Sequence, residues 1–380
     1  MEIKKIYYWS PFLSKVATVD AVINSAISLK KYNRKLYDVS IINVFGEFND
    51  YEQKLKENNV SLINFKYSKI IKSLSKPGFL RSRLLTIYIF LRYFVSLKNL
   101  LKKNPPQFLI IHLITSLPLF ILLLFKINTK VIFRISGYPR LNYFRKLFWK
   151  ATFKKIYKVT SPTIETRNRM IKENIIEENK IILLRDPIIS PKKINNLKKE
   201  SSDNTINNYY VSIGRLTRQK NYTFLIESFC ELIKKDIQTK LIIIGEGEQK
   251  EILQRQIEDL NISNNVLLLG YQHNIFRYLK NAKAFVLSSL WEDPGFVLIE
   301  AAFCNLNIIT SNCPNGPAEL LNNGKDGFMY ESNNKKDFLL KFNEYLLTNN
   351  DQLLKKKIAV KKNLRNFTYF KHSVELKKIL

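Results

Sequence analysis

Short continuous apolar runs alternate with stretches of helical period along almost the whole chain. The runs Ile3–Trp9, Val39–Phe45, Ser61–Phe65, Phe108–His112, Val131–Ile135 and Ile156–Thr160 are bounded by polar or turn residues and read as buried strands. Amphipathic stretches fill the gaps between them. From Tyr209 to about Tyr330 a second series repeats the pattern, and a helical tail follows from Lys335. Strand–helix alternation of this kind predicts parallel sheets with helices on both faces and ligand crevices at the carboxyl ends of the strands. The expected fold class is α/β, with two Rossmann-like, doubly wound parallel-sheet domains facing a cleft. The segment from Pro191 to Asn204 is polar and aperiodic, so it reads as the join. The expected division is a first domain at 1–188, a linker at 189–206 and a second domain at 207–362.

The most informative stretch begins at the apolar run Ala284–Leu287 and continues as Ser288-Ser289-Leu290-Trp291-Glu292-Asp293-Pro294-Gly295-Phe296-Val297-Leu298-Ile299-Glu300-Ala301-Ala302. Val297, Leu298 and Ala301 fall at helical spacing, so Pro294-Gly295 marks the entry to a helix. A strand, a glycine turn and a helix leave the amides of Gly295, Phe296 and Val297 free for an anion or for sugar hydroxyls. Seven residues separate Glu292, in the loop, from Glu300, two turns into the helix. Carboxylates suit vicinal diols because each oxygen accepts a hydroxyl hydrogen. Asp293, beside Pro294, reads as a helix cap.

Upstream stands Val211-Ser212-Ile213-Gly214-Arg215-Leu216-Thr217-Arg218-Gln219-Lys220-Asn221. Downstream stand Cys313-Pro314-Asn315-Gly316-Pro317-Ala318-Glu319, Asn323-Gly324 and Asp326-Gly327-Phe328. In this order and spacing, residues 209–330 resemble the retaining family 4 glycosyltransferases, which have two Rossmann-type domains (GT-B) and use nucleotide-sugar donors. The resemblance implies a donor site of Gly214, Arg215, Lys220, Glu292, Gly295, Phe296, Val297 and Glu300. In it the first glutamate lies near the donor sugar, the second holds the ribose, and the Gly-Arg-Leu turn and the lysine grip the diphosphate. The catalytic group expected is Glu292, Arg215 and Lys220, the two cations neutralising the leaving diphosphate. Protein cations can replace a divalent ion, so neither metal nor cofactor is expected, the nucleotide sugar being a substrate. The resemblance also implies retention of configuration by front-face attack, and a C-terminal helix (363–380) that returns to the first domain. The Cys313–Glu319 loop is similar to those of bacterial surface-polysaccharide and lipopolysaccharide transferases, including N-acetylhexosamine transferases. That favours a UDP-sugar over GDP-mannose and a lipid-linked or polysaccharide acceptor.

The first domain fits the resemblance less closely. Many relatives have Gly-Gly between the first strand and the first helix, where this chain has Ala17-Thr18, with Lys15 as a nearby charge. Relatives often end a mid-domain strand on a histidine; here Val131–Ile135 leads to Ser136 without one. Arg134, Ser136 and His112 remain as acceptor-side candidates.

Charge sharpens the picture. The 380 residues carry a formal net charge of +30. Residues 1–190 hold 34 Lys and Arg against 12 Asp and Glu, a net of +22, and no acid occurs from Asn58 through Ile164. In that window basic residues are mixed with aromatics, which suits nucleic acid or an anionic membrane surface. Beside a nucleotide-sugar domain the membrane is the expected partner, and nucleic acid is not. Three cysteines and three histidines without metal-ligand spacing fit a reducing cytosol. The apolar stretches Leu84–Leu101 and Phe108–Phe125 are interrupted by polar residues, and neither reads as a membrane span. Met1–Trp9 reads as a strand rather than a signal peptide. The expected location is therefore cytoplasmic, peripheral on the inner face of the cytoplasmic membrane. The competing classes are a nucleic-acid-binding protein, a nucleotide-sugar epimerase on the same double-Rossmann plan, and a transferase scaffold that has lost activity.

Overall fold

A computed structural model describes residues 2–12, 17–66, 79–137, 139, 142–200 and 207–380. The chain forms two units, Met1–Pro187 joined by Tyr369–Leu380, and Ile188–Thr368. The first contains strands β1 (Lys4–Trp9), β2 (Tyr37–Asn43), β3 (Ser61–Asn64), β4 (Phe108–Ile111), β5 (Lys130–Arg134), β6 (Lys158–Ser161) and β7 (Ile181–Leu183). They pair in parallel in the order β3-β2-β1-β4-β5-β6-β7. Strands covered on both faces read as continuous apolar runs, which is why β1, β4 and β5 stand out in the sequence. Along β1, Ile6 and Tyr8 pack with the helix Ala17–Tyr32, while Tyr7 and Trp9 face the opposite layer. That layer includes the helices Phe79–Lys103, Ser116–Leu124 and Tyr143–Lys155, with the second packed against the first and the third, and the helix Ile164–Lys172, whose Met170 is buried in the same core.

The second unit contains β8 (Tyr209–Ile213), β9 (Lys240–Ile244), β10 (Val266–Leu268), β11 (Ala284–Leu287), β12 (Asn307–Ser311) and β13 (Phe328–Tyr330). These are also parallel, in the order β10-β9-β8-β11-β12-β13. Val211, Ile213, Phe285 and Leu287 fill one core layer; Tyr210, Leu241, Ile243 and Val286 fill the other.

Several boundaries differ from those read in the sequence. The sixth strand starts at Lys158 because Ile156 ends the preceding helix, its amide bonded to the Thr152 carbonyl. β7 was missed: it is an edge strand of three residues, too short to show a period. The expected linker at 189–206 is in large part structured. Pro191 opens a helix to Lys199, Ile194 is buried in the second unit's core with Ile188 and Ile189, and Leu197 packs against it. Four lysines around two apolar positions hid that helix. The chain re-enters the first unit at Tyr369 rather than at 363. Phe108–Phe125 divides into β4 and the helix Ser116–Leu124, and no helix among the described residues is long and apolar enough to cross a membrane.

The returning helix Tyr369–Ile379 is fixed to the first unit by buried polar contacts. His372 Nδ1 lies 2.6 Å from the Arg185 carbonyl, and Nε2 lies 2.7 Å from Ser25 Oγ. A carbonyl only accepts, so Nδ1 carries the hydrogen and Nε2 accepts from Ser25, which in turn faces the Tyr8 hydroxyl at 3.1 Å. Burial and the charge of Arg134 pull the His372 pKa down to about 3. Between pH 6.5 and 3 the unfolded chain therefore binds a proton at this position that the folded chain refuses, so stability falls as pH falls. One such group contributes a slope approaching about 1.4 kcal/mol per pH unit. His112 titrates in the same sense, whereas burial raises Glu47 to about 7, which opposes them. Comparing wild type with His372→Gln cancels these shared terms. The variant is expected to lose stability less steeply than wild type from pH 6.5 to 4.5 in thermal unfolding. Parallel curves would show that His372 is not held neutral by the fold.

Candidate functional site

The strand ends of the second unit gather the predicted donor residues. β8 runs into Gly214, whose amide donates to the Ile244 carbonyl at 2.9 Å. The loop after β9, Gly245-Glu246-Gly247, lies flush on the Gly214–Leu216 turn. Leu216 N donates to Glu246 O at 2.9 Å, and Gln249 N to Leu216 O at 3.0 Å. Gly245 has φ +151°, and a Cβ there would fall 1.9 Å from the Gly214 carbonyl oxygen. Only glycine fits that approach. Sequence reasoning missed this loop, although two glycines around an acid directly after the apolar run Leu241–Ile244 were a usable signal.

The bare Cα of Gly214 leaves room for Lys220, whose Cε would lie 2.7 Å from a Cβ at that position. Lys220 folds back and its Nζ pairs with Glu292 Oε1, the two side chains being only 11% and 6% exposed. Ser289 Oγ donates to the same carboxylate oxygen at 2.6 Å, and Ser311 Oγ supports the Ser289 carbonyl at 2.6 Å. Ser288 Oγ donates to the Lys220 carbonyl at 2.7 Å. The buried Tyr222 phenol packs beside this turn, 3.0 Å from where a Gly214 Cβ would stand, and burial pushes its pKa up. Lys220 and Glu292, read from sequence as gripping different parts of a donor, are thus one buried ion pair. Ser289, which that reading did not single out, holds the carboxylate.

A second clip closes the loop. Leu290 N donates to Gln219 O, and Gln219 Nε2 to Trp291 O, both at 2.8 Å. Glu292 N reaches Pro314 O at 3.1 Å, which ties the Cys313–Glu319 loop to the same edge. Gly295, at φ +84°, is the N-cap residue of the helix Phe296–Phe303. The N-cap position expected at Asp293 therefore falls two residues later, on Gly295. Phe296 and Val297 are half-buried in the first turn, and Glu300 is half-buried in the second. Their positions leave the positive end of the helix dipole beside Glu292 and Lys220. Arg215 is exposed, with Nη2 3.5 Å from Gln219 Oε1.

In the first unit, the end of β4 meets the end of β5. His112 Nε2 lies 2.7 Å from Ser136 Oγ, so two acceptor-side candidates are joined. Burial, then the charge of Arg134, hold the imidazole well below its usual pKa, and it is neutral at pH 7. Its Nδ1 is buried without a hydrogen-bond partner among the described residues. The next residues, Leu113 and Ile114, have φ of 33° and 39°, a conformation that costs a β-branched residue energy. Trp9 Nε1 holds that loop by donating to Ile114 O at 3.0 Å. Arg134 is buried and committed to an ion pair with Asp186. It anchors the segment leaving the unit rather than facing a ligand. Ala17 and Thr18 open the helix Ala17–Tyr32, and Lys15 lies outside the described residues. Among the described residues no group of three His, Cys, Asp or Glu is placed to hold a metal ion.

Comparison with known proteins bears on this arrangement. Residues 193–366 match the family model described as glycosyl transferases group 1. An uncharacterized glycosyltransferase of Methanocaldococcus jannaschii is 39% identical over 168 residues, which is 44% of this chain and 39% of that protein. The UDP-Gal:alpha-D-GlcNAc-diphosphoundecaprenol alpha-1,3-galactosyltransferase of Escherichia coli is 32% identical over 160 residues, covering 41% of this chain and 40% of that one. The chain thus spans about two fifths of the length of these relatives. Among solved structures, a glycosyltransferase from Rickettsia africae superposes with a TM-score of 0.77 at 16% identity, over 100% of this chain and 98% of its own. That likeness establishes the two-sheet fold over the whole chain.

Proposed function

We propose that the chain, whose residues 193–366 match the group 1 glycosyl transferase model, moves a hexose or N-acetylhexosamine from a nucleoside diphosphate sugar to a lipid-linked or surface-polysaccharide acceptor. A UDP-sugar is favoured over GDP-mannose, a preference supported by the UDP-Gal donor for which the Escherichia coli relative is named. The observation that carries the reading is the Lys220–Glu292 pair beside the first turn of Phe296–Phe303. A departing nucleoside diphosphate gains negative charge as the bond from the anomeric carbon to the β-phosphate oxygen breaks. Lys220, Arg215 and the Gly295–Val297 amides supply positive charge and dipoles at that place. Glu292, held by Ser289, presents its second oxygen to the sugar hydroxyls, and Glu300 takes the ribose. The acceptor hydroxyl bonds to the anomeric carbon on the same face and passes its proton to the departing phosphate oxygen, so configuration is retained. Cations of the protein do the work of a divalent ion. The reaction is proposed to take place at the inner face of the cytoplasmic membrane, with the chain peripherally bound.

Thermal unfolding with UDP, GDP and their sugar conjugates, with and without chelator, tests the donor site. A rise in Tm with the UDP series, unchanged by chelator, is expected; at a hundred times Kd the stabilisation is about 2.7 kcal/mol. No shift with any nucleotide would overturn the proposal in favour of an inactive scaffold or a nucleic-acid-binding protein.

A further inference from the structure

Of the helices Phe79–Lys103, Ser116–Leu124 and Tyr143–Lys155, the first and third carry apolar rows that no other element among the described residues covers. On Phe79–Lys103, Ile87, Leu91 and Val95 recur every fourth residue, and on Tyr143–Lys155, Tyr143 and Leu147 do the same with Phe144 alongside. These six side chains are between 49% and 79% exposed. Steps of three and four residues keep a row on one side of a helix. The first row continues into Lys98 and Lys102, which lie over the Phe125 ring at 5.5 and 5.2 Å. The second continues through Ala151 to Lys154, flanked by Lys150. Each row is thus apolar towards its N-terminal end and basic towards its C-terminal end. Not one Asp or Glu occurs in any of the three helices.

Topology fixes where the apolar ends lie. Both helices connect parallel strands, β3 to β4 and β5 to β6, so they run antiparallel to the strands. Their N-terminal turns therefore stand at the carboxyl edge of the sheet, the edge that carries His112 and Ser136.

We infer that the outer face of these helices seats in the interface of an anionic lipid bilayer, with Ile87, Leu91, Val95, Phe144 and Leu147 sunk among acyl chains and the lysines at the headgroups. Exposed aliphatic rows separate this partner from nucleic acid, which reads charge and aromatic stacking and has no use for Ile, Leu and Val. The absence of acids from these three helices complements a negative surface. The inference rests on the proposed transfer to a lipid-linked acceptor and deepens it. The bilayer would lie along the edge where the first unit receives that acceptor.

The test is co-sedimentation of the full chain with phosphatidylcholine vesicles, with and without phosphatidylglycerol. Three variants are compared with wild type: Ile87→Ser/Leu91→Ser/Val95→Ser, Phe144→Ser/Leu147→Ser and Lys98→Glu/Lys102→Glu. All sites are on the surface or at its margin, and circular dichroism checks the fold. Wild type is expected to bind the anionic vesicles preferentially, and each variant to partition at least about tenfold less. Binding that salt abolishes and that the serine variants leave unchanged would overturn insertion. So would equal binding to both vesicle types, RNA binding that the serine variants retain in full, or a lipid-free dimer that they dissolve. A UDP-induced Tm shift is measured on the same preparations. A shift without vesicle binding sinks the surface alone, and vesicle binding without a shift sinks the transfer alone.

Discussion

Lys220→Ala is expected to reduce turnover of the correct nucleotide sugar by about 10² to 10³-fold, with Glu292→Gln close behind it. The two side chains form one buried pair, so each single substitution also strips a partner from a group that is almost out of solvent. Among the described residues, Lys220→Ala leaves the Glu292 carboxylate with only Ser289 donating to it, a loss of about 3 kcal/mol of stability. Removing both charges in Lys220→Ala/Glu292→Gln is expected to restore part of that stability while turnover stays low. A double-mutant cycle separates the two quantities, because stability couples through the pair and catalysis does not recover with it. Unfolding midpoints and initial rates for the four proteins check this. Near-normal rates in either single variant would remove both residues from the site.

That pairing marks where sequence reasoning stops. Lys220 and Glu292 are 72 residues apart and meet only because β8 and β11 are neighbours in the sheet although two strands intervene in sequence. The loops themselves were legible: a glycine or a charge directly after a continuous apolar run marks a strand's end, and Gly214 and Ser288–Gly295 do stand at such ends. Which loops touch depends on strand order, which periodicity does not contain. The same holds for His112 and Ser136, joined across adjacent β4 and β5. Arg134 shows the reverse error. At the end of β5 it looked available for a ligand, but Asp186, 52 residues on, neutralises it in the interior. The acid-free window from Asn58 to Ile164 was plain in the sequence, whereas the exposed rows within it needed the packing of three helices to appear.

Gly245→Ala is expected to be the most damaging change that removes no chemistry. The new Cβ would stand 1.9 Å from the Gly214 carbonyl oxygen and 2.9 Å from its carbon, both main-chain atoms that no rotamer change can move aside. Either the turn that seats Lys220 shifts or the β9 loop lifts from it, breaking the Leu216–Glu246 hydrogen bond. A loss of about 3 kcal/mol or more follows, lowering the second unit's unfolding transition by roughly 6–12 °C. Gly324→Ala serves as the control. It too has positive φ, at +89°, but its Cβ would meet nothing closer than Met329 Cβ at 3.4 Å, so only backbone strain of about 1 kcal/mol remains. Donor affinity should separate them further. A displacement of about 1 Å in the turn carrying Lys220 is enough to cost about a hundredfold in rate, so Gly245→Ala should show a weakened UDP-induced Tm shift even where circular dichroism reports a folded protein. Gly324→Ala, on a turn outside the Lys220–Glu292 contacts, should keep the full shift. Equal unfolding midpoints and equal shifts in the two variants would mean that the β9 loop does not press on the Gly214 turn, and the donor edge would have to be rebuilt without it.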